Sequence, residues 1–178
     1  MSKKSFMQAA LTRGESDPSP KEFTGVPQIS PFADWDYYYM RAPLIWSDES
    51  DDRALGSVHV TVGFVCDLAS IPRLFWVLLP TTARYTAPAI IHDYLYWFQP
   101  ASHDRGRADQ VFDLGMRELG VSAWKRCVIY AAVRLGGGWS WNKNKAARDT
   151  GEKRVLRKFP TELKTTWDEW KCDPSVFM

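Results

Sequence analysis

The sequence lacks the features that identify several large classes of protein. No apolar run reaches the roughly 20 residues of a membrane-spanning helix, and the charged N-terminus has no apolar stretch after it, unlike a secretory signal. There is no internal repeat and no low-complexity segment. The net charge of +2 is too small for bulk attraction to nucleic acid. We therefore expect no transmembrane segment, and the bulk charge does not favour a nucleic-acid partner.

Cysteine is scarce, and two common catalytic motifs are missing. Cys66, Cys127 and Cys172 are far apart and show neither a disulfide framework nor zinc-ligand spacing. No Gly-x-Ser-x-Gly surrounds Ser70, so a serine-hydrolase elbow is not indicated. The three glycines 136–138 are not followed by Lys-Ser or Lys-Thr, as a phosphate-binding loop requires. Synthesis in a reducing cytoplasm fits this cysteine usage best.

What the chain does have is enough apolar material for one folded domain with extensions. It has 178 residues, of which 45% are hydrophobic and 14% aromatic, so a substantial core can form. Residues 1–22 are polar, with Ser and Pro near their end, which predicts an extended arm. We expect a single α+β domain over residues 23–140. Residues 141–178 are predicted to be a basic, then aromatic, C-terminal extension.

Short strands are predicted in the first part of this domain, over residues 23–66. Residues 32–46 are rich in aromatic residues and are interrupted at Ala42-Pro43, which favours two strands. Residues 58–62 alternate valine with histidine or threonine, as a half-buried strand does. We expect these strands to form a small antiparallel sheet.

Three helices are predicted to follow and to pack against that sheet. The first spans about residues 87–97, and the second about residues 106–119, with Gly120 as its stop. The third opens at Ser122 and is expected to end at the glycines 136–138, because glycine is a poor helix former. It carries the following apolar residues: Trp124, Cys127, Val128, Ala131 and Leu135. The predicted class is therefore α+β with extended N- and C-terminal arms.

Polar residues in apolar surroundings mark the candidate site. His92 and Tyr96 are four residues apart and share one face of the first helix, with Asp93 beside them. Asp109 lies on the apolar face of the second helix, where a carboxylate needs a partner that the first helix can offer as His92. Such a pair fixes the imidazole tautomer and raises its basicity. His92 and Asp109 are therefore candidate catalytic residues, with His92 as general base.

Two other roles for this group of residues stay open. Asp67 and Asp93 supply carboxylate oxygens, which suit a hard cation such as Ca²⁺ or Mg²⁺. Alternatively, the group is a buried polar network that specifies the fold, with Ser70 and Tyr96 as structural members. The residues alone leave catalysis, cation binding and structure as alternatives.

The candidate site residues belong to a longer set of sequence motifs. Its members are Gly63-Phe64, Asp67, Ser70-Ile71-Pro72, the block from His92 to Tyr96, Arg107, Asp109, Phe112, Met116, the run from Tyr130 to Arg134, and Gly136. At these positions, over about residues 58–138, the chain resembles the small phage and prophage proteins grouped as domain of unknown function 1353. The resemblance implies phage or prophage origin, often among late, virion or lysis genes, and it implies no settled activity.

The first two helices are also similar to those of prokaryotic secreted phospholipase A2. That family has H-D-x-x-Y on one helix, an Asp on the next, and a later helix reading A-V-R before a Gly. The similarity implies His92 as base, Asp93 as calcium ligand and Asp109 as the partner of His92. This chain departs from that family because it has no Gly-rich calcium loop before His92, no cysteines to pair the helices and no secretion signal.

Three functions follow as hypotheses. The first is a virion-associated structural protein of the phage tail or baseplate, in contact with other phage structural proteins in multiple copies and made in the host cytoplasm. The resemblance, the aromatic flanks and the N-terminal arm motivate it. The second is a metal-assisted hydrolase of cell-envelope lipid or peptidoglycan, with His92 as base. The third is a soluble effector that binds a host protein or nucleic acid through the basic residues 143–164.

Overall fold

In the computed structural model of the chain, residues 23–24, 26–48, 55–68 and 86–178 are described. Within them, short strands precede helices, which confirms the predicted α+β class. The strands are β1 (Phe23–Thr24), β2 (Ile29–Pro31), β3 (Tyr38–Met40), β4 (Leu44–Asp48), β5 (Gly56–Val60) and β6 (Val65–Cys66). The helices are α1 (Thr86–Phe98), α2 (Arg105–Glu118), α3 (Ala123–Asp149) and α4 (Trp167–Trp170), followed by a 3₁₀ turn at Pro174–Val176. The predicted arm over residues 1–22 lies outside the described residues.

The described strands form two small antiparallel sheets. In one sheet β4 lies between β1 and β5, and in the other β3 lies between β2 and β6. The predicted interruption at Ala42-Pro43 is confirmed, because it separates β3 from β4. The predicted alternation is confirmed in β5, where Val58 and Val60 are buried and His59 is exposed. The buried apolar side chains of β4 and β5 pack against α1 and α2 in one cluster, whereas Tyr39 and Val65 pack in another cluster with the C-terminal segment.

Helix α3 is longer than predicted. The expectation that it stops at the glycines 136–138 is wrong, because α3 continues unbroken to Asp149. Each glycine weakens a helix by only about 1 kcal/mol, and one of them has a packing use. A Cβ at Gly137 would lie 2.3 Å from the Tyr96 hydroxyl, whereas a Cβ at either neighbouring glycine would meet nothing within 4 Å. Among the described helices, none, α3 included, is both long and apolar enough to cross a membrane.

The part of α3 beyond the glycines supplies hydrogen-bond donors to the last carbonyl groups of α1. The last carbonyl groups of a helix have no partner within it. Here the Asn144 amide donates to the carbonyl of Tyr96 at 3.3 Å, and the Arg148 guanidinium donates to the carbonyl of Phe98. Arg148 also donates to the Gln99 side chain at 2.9 Å. These contacts favour the extension of α3 past its glycines.

The C-terminal segment returns to the strands. Leu156 is buried and pairs with Phe177, and Trp167 of α4 packs edge-on against Phe32 with ring centroids 5.4 Å apart. The backbone of Leu156 approaches Gly63 very closely, because a Cβ at Gly63 would lie 2.1 Å from the Leu156 carbonyl oxygen. The φ of Gly63 is +82°. Only glycine fits there. The aromatic residues Trp167 and Phe177 are thus part of the protein's own core.

Several cations of the basic segment 143–164 hold this C-terminus in place. Lys153 donates to the main-chain oxygen of Met178 at 3.0 Å. Arg157 donates through Nε to the carbonyl of Ser175, also at 3.0 Å. Internal contacts therefore account for part of the positive charge that the sequence concentrates here.

Candidate functional site

The start of α2 sets the direction of its buried face. Asp104 caps the helix by accepting a hydrogen bond from the Arg107 backbone N–H at 2.8 Å. From this start, Asp109 and Phe112 both fall on the buried side of α2. That side faces α1, and His92 lies on the buried face of α1. The apolar periodicity that predicted an inward-pointing carboxylate is therefore confirmed.

The Asp109 carboxylate is the centre of the site and is fully buried, with 0% of its surface exposed. Its Oδ1 accepts from His92 Nε2 at 3.0 Å and from the Tyr96 hydroxyl at 2.7 Å. Its Oδ2 accepts from Arg134 Nη1 at 2.8 Å, and Arg105 Nη1 lies 3.5 Å away. A buried carboxylate requires such donors. The predicted His92–Asp109 pair is thus confirmed, and three helices contribute to it.

Aromatic packing fixes the orientation of the imidazole. The ring centroids of His92 and Tyr96 are 4.0 Å apart, and those of His92 and Phe112 are 4.9 Å apart. Both His92 and Tyr96 are buried. The imidazole contacts both rings while its Nε2 donates to the carboxylate. The contact between His92 and Tyr96 is the one that their four-residue spacing on α1 predicts.

The charge states of the pair follow from burial and hydrogen bonding. Burial lowers the pKa of His92, and the hydrogen bond to Asp109 offsets only part of this effect. Burial alone would raise the pKa of Asp109, but the hydrogen bonds from His92 and Tyr96 outweigh it and lower that pKa. Asp109 is therefore ionised and His92 neutral at neutral pH. Because a carboxylate can only accept, the imidazole proton is on Nε2, and Nδ1 carries the basic lone pair.

Tyr96 acts as a fixed donor in this site. Burial raises the pKa of Tyr96, and the hydrogen bond to Asp109 raises it further, so the hydroxyl keeps its proton. Its place in the network agrees with the structural role predicted for it. Ser70, the other predicted structural member, lies outside the described residues.

Three members of the site were not placed in it from the sequence: Arg105, Arg134 and Gly137. Arg105 is four residues before Asp109 on α2, and that spacing could have indicated an ion pair. Arg134 and Gly137 come from α3, so no local spacing relates them to Asp109 or Tyr96. Only the packing of α3 against the other two helices brings them to the site.

Of the two predicted cation ligands, Asp93 holds the end of the last strand. The Asp93 carboxylate accepts from the Leu68 backbone N–H at 2.9 Å, where Leu68 has a left-handed φ of +52°. Burial raises the pKa of the Cys66 thiol, and the nearby Asp93 and Asp67 carboxylates raise it further. In the described parts of the chain, no three His, Cys, Asp or Glu residues are grouped so that they could hold a metal ion. A cation at Asp67 and Asp93 stays a prediction.

Comparison with known proteins gives a family match. The model of the family described as "Protein of unknown function (DUF1353)" matches residues 39–133, just over half of the chain. The matched range contains His92, Tyr96 and Asp109, and it ends one residue before Arg134. No curated protein matches the chain, and no solved structure matches it. The predicted resemblance to domain of unknown function 1353 is confirmed by the family match.

Proposed function

The chain belongs to the DUF1353 family, whose description assigns no activity, and we propose from the geometry of its site that it is a hydrolase of the cell envelope. Its substrate class is an ester or amide of envelope lipid or peptidoglycan. The observation that carries the proposal is the bond from His92 Nε2 to Asp109 Oδ1 at 3.0 Å. That bond fixes the proton on Nε2 and makes Nδ1 the nitrogen that can accept another.

In this mechanism His92 activates a water molecule. The water gives a proton to Nδ1 while its oxygen attacks the carbonyl carbon of the substrate. The Asp109 carboxylate stabilises the imidazolium that forms, and Tyr96 and Arg134 keep the carboxylate in place. When the tetrahedral intermediate collapses, Nδ1 returns the proton to the leaving alcohol or amine, and His92 is neutral again. The lowered pKa of His92 keeps the base unprotonated at neutral pH.

The burial of the His92–Asp109 pair favours a small nucleophile, and it means that a variant of the pair can lose stability as well as activity. His92 is only 2% exposed, so a small molecule such as water suits it better than a bulky group. The same hydrogen bonds also join α1, α2 and α3. A loss of activity in a variant must therefore be separated from a loss of folding.

The substitution His92→Ala tests the proposal. Phospholipid vesicles and peptidoglycan are the substrates, each with Ca²⁺, with Mg²⁺ and with a chelator, because Asp67 and Asp93 are candidate cation ligands. We expect the wild type to hydrolyse one of these substrates and His92→Ala to lower the rate about 10²–10⁴-fold. The matched control is His59→Ala, an exposed histidine on β5, which should leave the rate unchanged.

Circular dichroism and thermal unfolding of each variant complete the experiment. A folded wild type that hydrolyses neither substrate under any of these conditions contradicts the proposal. So does a His92→Ala protein that melts at a lower temperature yet retains the full wild-type rate. Either result would assign the His92–Asp109 pair to structure alone.

A place in a phage tail or baseplate is a second proposal, compatible with the first because particles carry envelope-degrading enzymes. Trp35 favours it, because this side chain is 65% exposed in the turn between β2 and β3 and has a φ of +58°. The aromatic C-terminus no longer supports it, since Trp167 and Phe177 are buried. Quantitative mass spectrometry of purified particles tests it: a fixed copy number supports the proposal, and absence from the particle rejects it.

A further inference from the structure

The outer face of α3 carries an apolar stripe, which consists of Trp124, Val128, Ala131, Leu135 and Trp139. These residues follow each other at spacings of four, three, four and four, so they lie on one face of the helix. Trp124 is 61% exposed, Leu135 89% and Trp139 71%. Scattered exposed apolar residues are ordinary, but a continuous row of large ones indicates an interaction surface.

The stripe is a long, narrow ridge. Trp124 and Trp139 are 15 residues apart, which corresponds to roughly 22 Å along a helix. It occupies the convex outer side of α3, whereas Ile129, Val133 and Gly137 form the buried side. A convex ridge of this kind suits a broad surface into which side chains can insert.

The charge of α3 is strongly one-sided. Asp149, the last residue of α3, is its only acidic residue, and it pairs with Lys145 at 2.6 Å. The basic residues of α3 are Lys125, Arg126, Arg134, Lys143, Lys145 and Arg148. Arg126 pairs with Asp113 and Arg134 pairs with Asp109, so Lys125 and Lys143 are the cations that accompany the stripe. The Lys125 ammonium lies 5.7 Å from the ring of Trp124, and the Lys143 ammonium lies 5.0 Å from the ring of Trp139. A cation therefore accompanies the tryptophan at each end of the stripe.

The combination of charge and aromatic residues identifies the partner. A second copy docked through the same stripe would bring two basic helices together, which like-charge repulsion opposes. Helices that lie in a membrane interface instead carry Trp and Leu on one face and Lys or Arg beside it. Tryptophan rings favour the headgroup level, and lysine stems lie along apolar surface while their ammonium groups reach the headgroups.

We propose that α3 docks this protein on an anionic lipid surface through its apolar stripe. Trp124, Leu135 and Trp139 insert at the level of the headgroups. Lys125 and Lys143 contact the lipid phosphates. The contact is peripheral, with the helix lying along the surface.

The docking face and the candidate site share α3. Arg134, which donates to Asp109 at 2.8 Å, directly precedes Leu135 of the stripe. Docking therefore places the helix that supports Asp109 against the lipid. That the docked lipid is also the substrate rests on the proposed function, whereas the binding itself does not.

Co-sedimentation with lipid vesicles tests the docking. The full chain is mixed with vesicles of phosphatidylcholine alone or of phosphatidylcholine with phosphatidylglycerol. We expect binding to the anionic vesicles, weakened by salt. Leu135→Ser should weaken it about tenfold or more, and Lys125→Ser and Lys143→Ser about fivefold each. The matched control is Leu163→Ser, because Leu163 is 98% exposed but lies outside the stripe, and it should bind like the wild type.

The outcomes separate this inference from the proposed function. A folded wild type that does not bind anionic vesicles overturns the inference, and so does binding that the stripe variants leave unchanged. A dimer that Leu135→Ser dissociates, in the absence of vesicle binding, would instead assign the stripe to a second copy. His92→Ala should bind vesicles like the wild type. Vesicle binding by a wild type that hydrolyses neither phospholipid nor peptidoglycan would reject only the proposed function, and hydrolysis without vesicle binding would reject only this inference.

Discussion

The two faces of α3 differ in burial, and the amino-acid pattern alone would assign the wrong face to the core. The buried face is formed by Ile129, Val133 and Gly137. The exposed face carries the larger residues Trp124 and Leu135. A helix with apolar residues on both sides does not reveal which side is the core. Where a neighbouring helix must approach closely, the face with the smaller side chains is therefore the buried one.

The close approach has a clear cause. Tyr96 needs room to donate to Asp109, and a side chain at Gly137 would occupy that space. The inner face of α3 therefore serves the buried network, and the outer face is left for a partner. The predictions that follow test this division, starting with the largest expected effect.

Asp109→Ala should cause the largest loss of stability. It removes the acceptor of His92, Tyr96 and Arg134 at once, and His92 and Tyr96 are buried donors. Breaking a buried charged pair costs about 3–5 kcal/mol, which urea denaturation can measure. Asp113→Ala is the control, because Asp113 is 35% exposed and pairs with Arg126 at the surface, where a loss of about 1 kcal/mol or less is expected. Equal losses in the two variants would contradict the central place of Asp109.

Alanine substitutions at the three consecutive glycines should change the free energy of unfolding in opposite directions. Gly137→Ala should lower the free energy of unfolding by about 1–3 kcal/mol, because its Cβ would overlap the Tyr96 hydroxyl. Gly136→Ala and Gly138→Ala should raise it by up to about 1 kcal/mol each, because open space surrounds both positions and alanine favours helix. Chemical denaturation of the three variants decides the point. Equal stabilisation by all three would show that α1 and α3 do not meet at Gly137.

Stability should fall as the pH is lowered below the ordinary histidine pKa of 6.5. Burial lowers the pKa of His92 in the folded protein, so the unfolded chain binds this proton at a higher pH. The contribution of His92 to the free energy of unfolding is fully present above pH 6.5. It is lost as the pH falls toward the lower pKa of the folded protein, and the free energy changes by at most about 1.4 kcal/mol per pH unit. Asp109, Tyr96 and Arg105 face the imidazole, and none of them reverses this sign.

Denaturation across this pH range in two histidine variants isolates the effect. Burial also lowers the pKa of His103, so His103 contributes in the same direction. His92→Gln and His103→Gln should each reduce the slope, and the reduction by His92→Gln is the informative one. A slope that His92→Gln leaves unchanged would mean that His92 does not titrate as the buried site requires.

Substitutions on the outer face of α3 should have the smallest effect on stability. Leu135→Ser and Trp139→Ser remove exposed side chains, so each should change the free energy of unfolding by less than about 0.5 kcal/mol. Thermal and urea unfolding check this expectation. A loss as large as that of Gly137→Ala would show that the stripe is covered within the protein.

The sequence predicts well what local spacing controls. The shared face of His92 and Tyr96 follows from their four-residue spacing on α1, and the inward direction of Asp109 follows from the apolar face of α2. The interruption at Ala42-Pro43 likewise follows from local chemistry. These features could be derived because each depends on residues close together in the chain.

The remaining features depend on distant contacts, and the sequence could not supply them. The glycines 136–138 indicate a helix stop until Tyr96 is known to lie against Gly137. The fit of Gly63 against Leu156 depends on a segment more than ninety residues away. Arg134 belongs to the site only because α3 crosses the other two helices there.

Hydrolysis of anionic phospholipid vesicles, measured against lipid concentration, tests the division between the two faces of α3 most directly. The account predicts that His92→Ala binds vesicles normally and lowers the rate at saturating lipid. It predicts that Leu135→Ser raises the lipid concentration needed for half the maximal rate and leaves the saturated rate unchanged. If both substitutions changed the same parameter, or if the folded wild type bound the vesicles without hydrolysing them, the account would be contradicted.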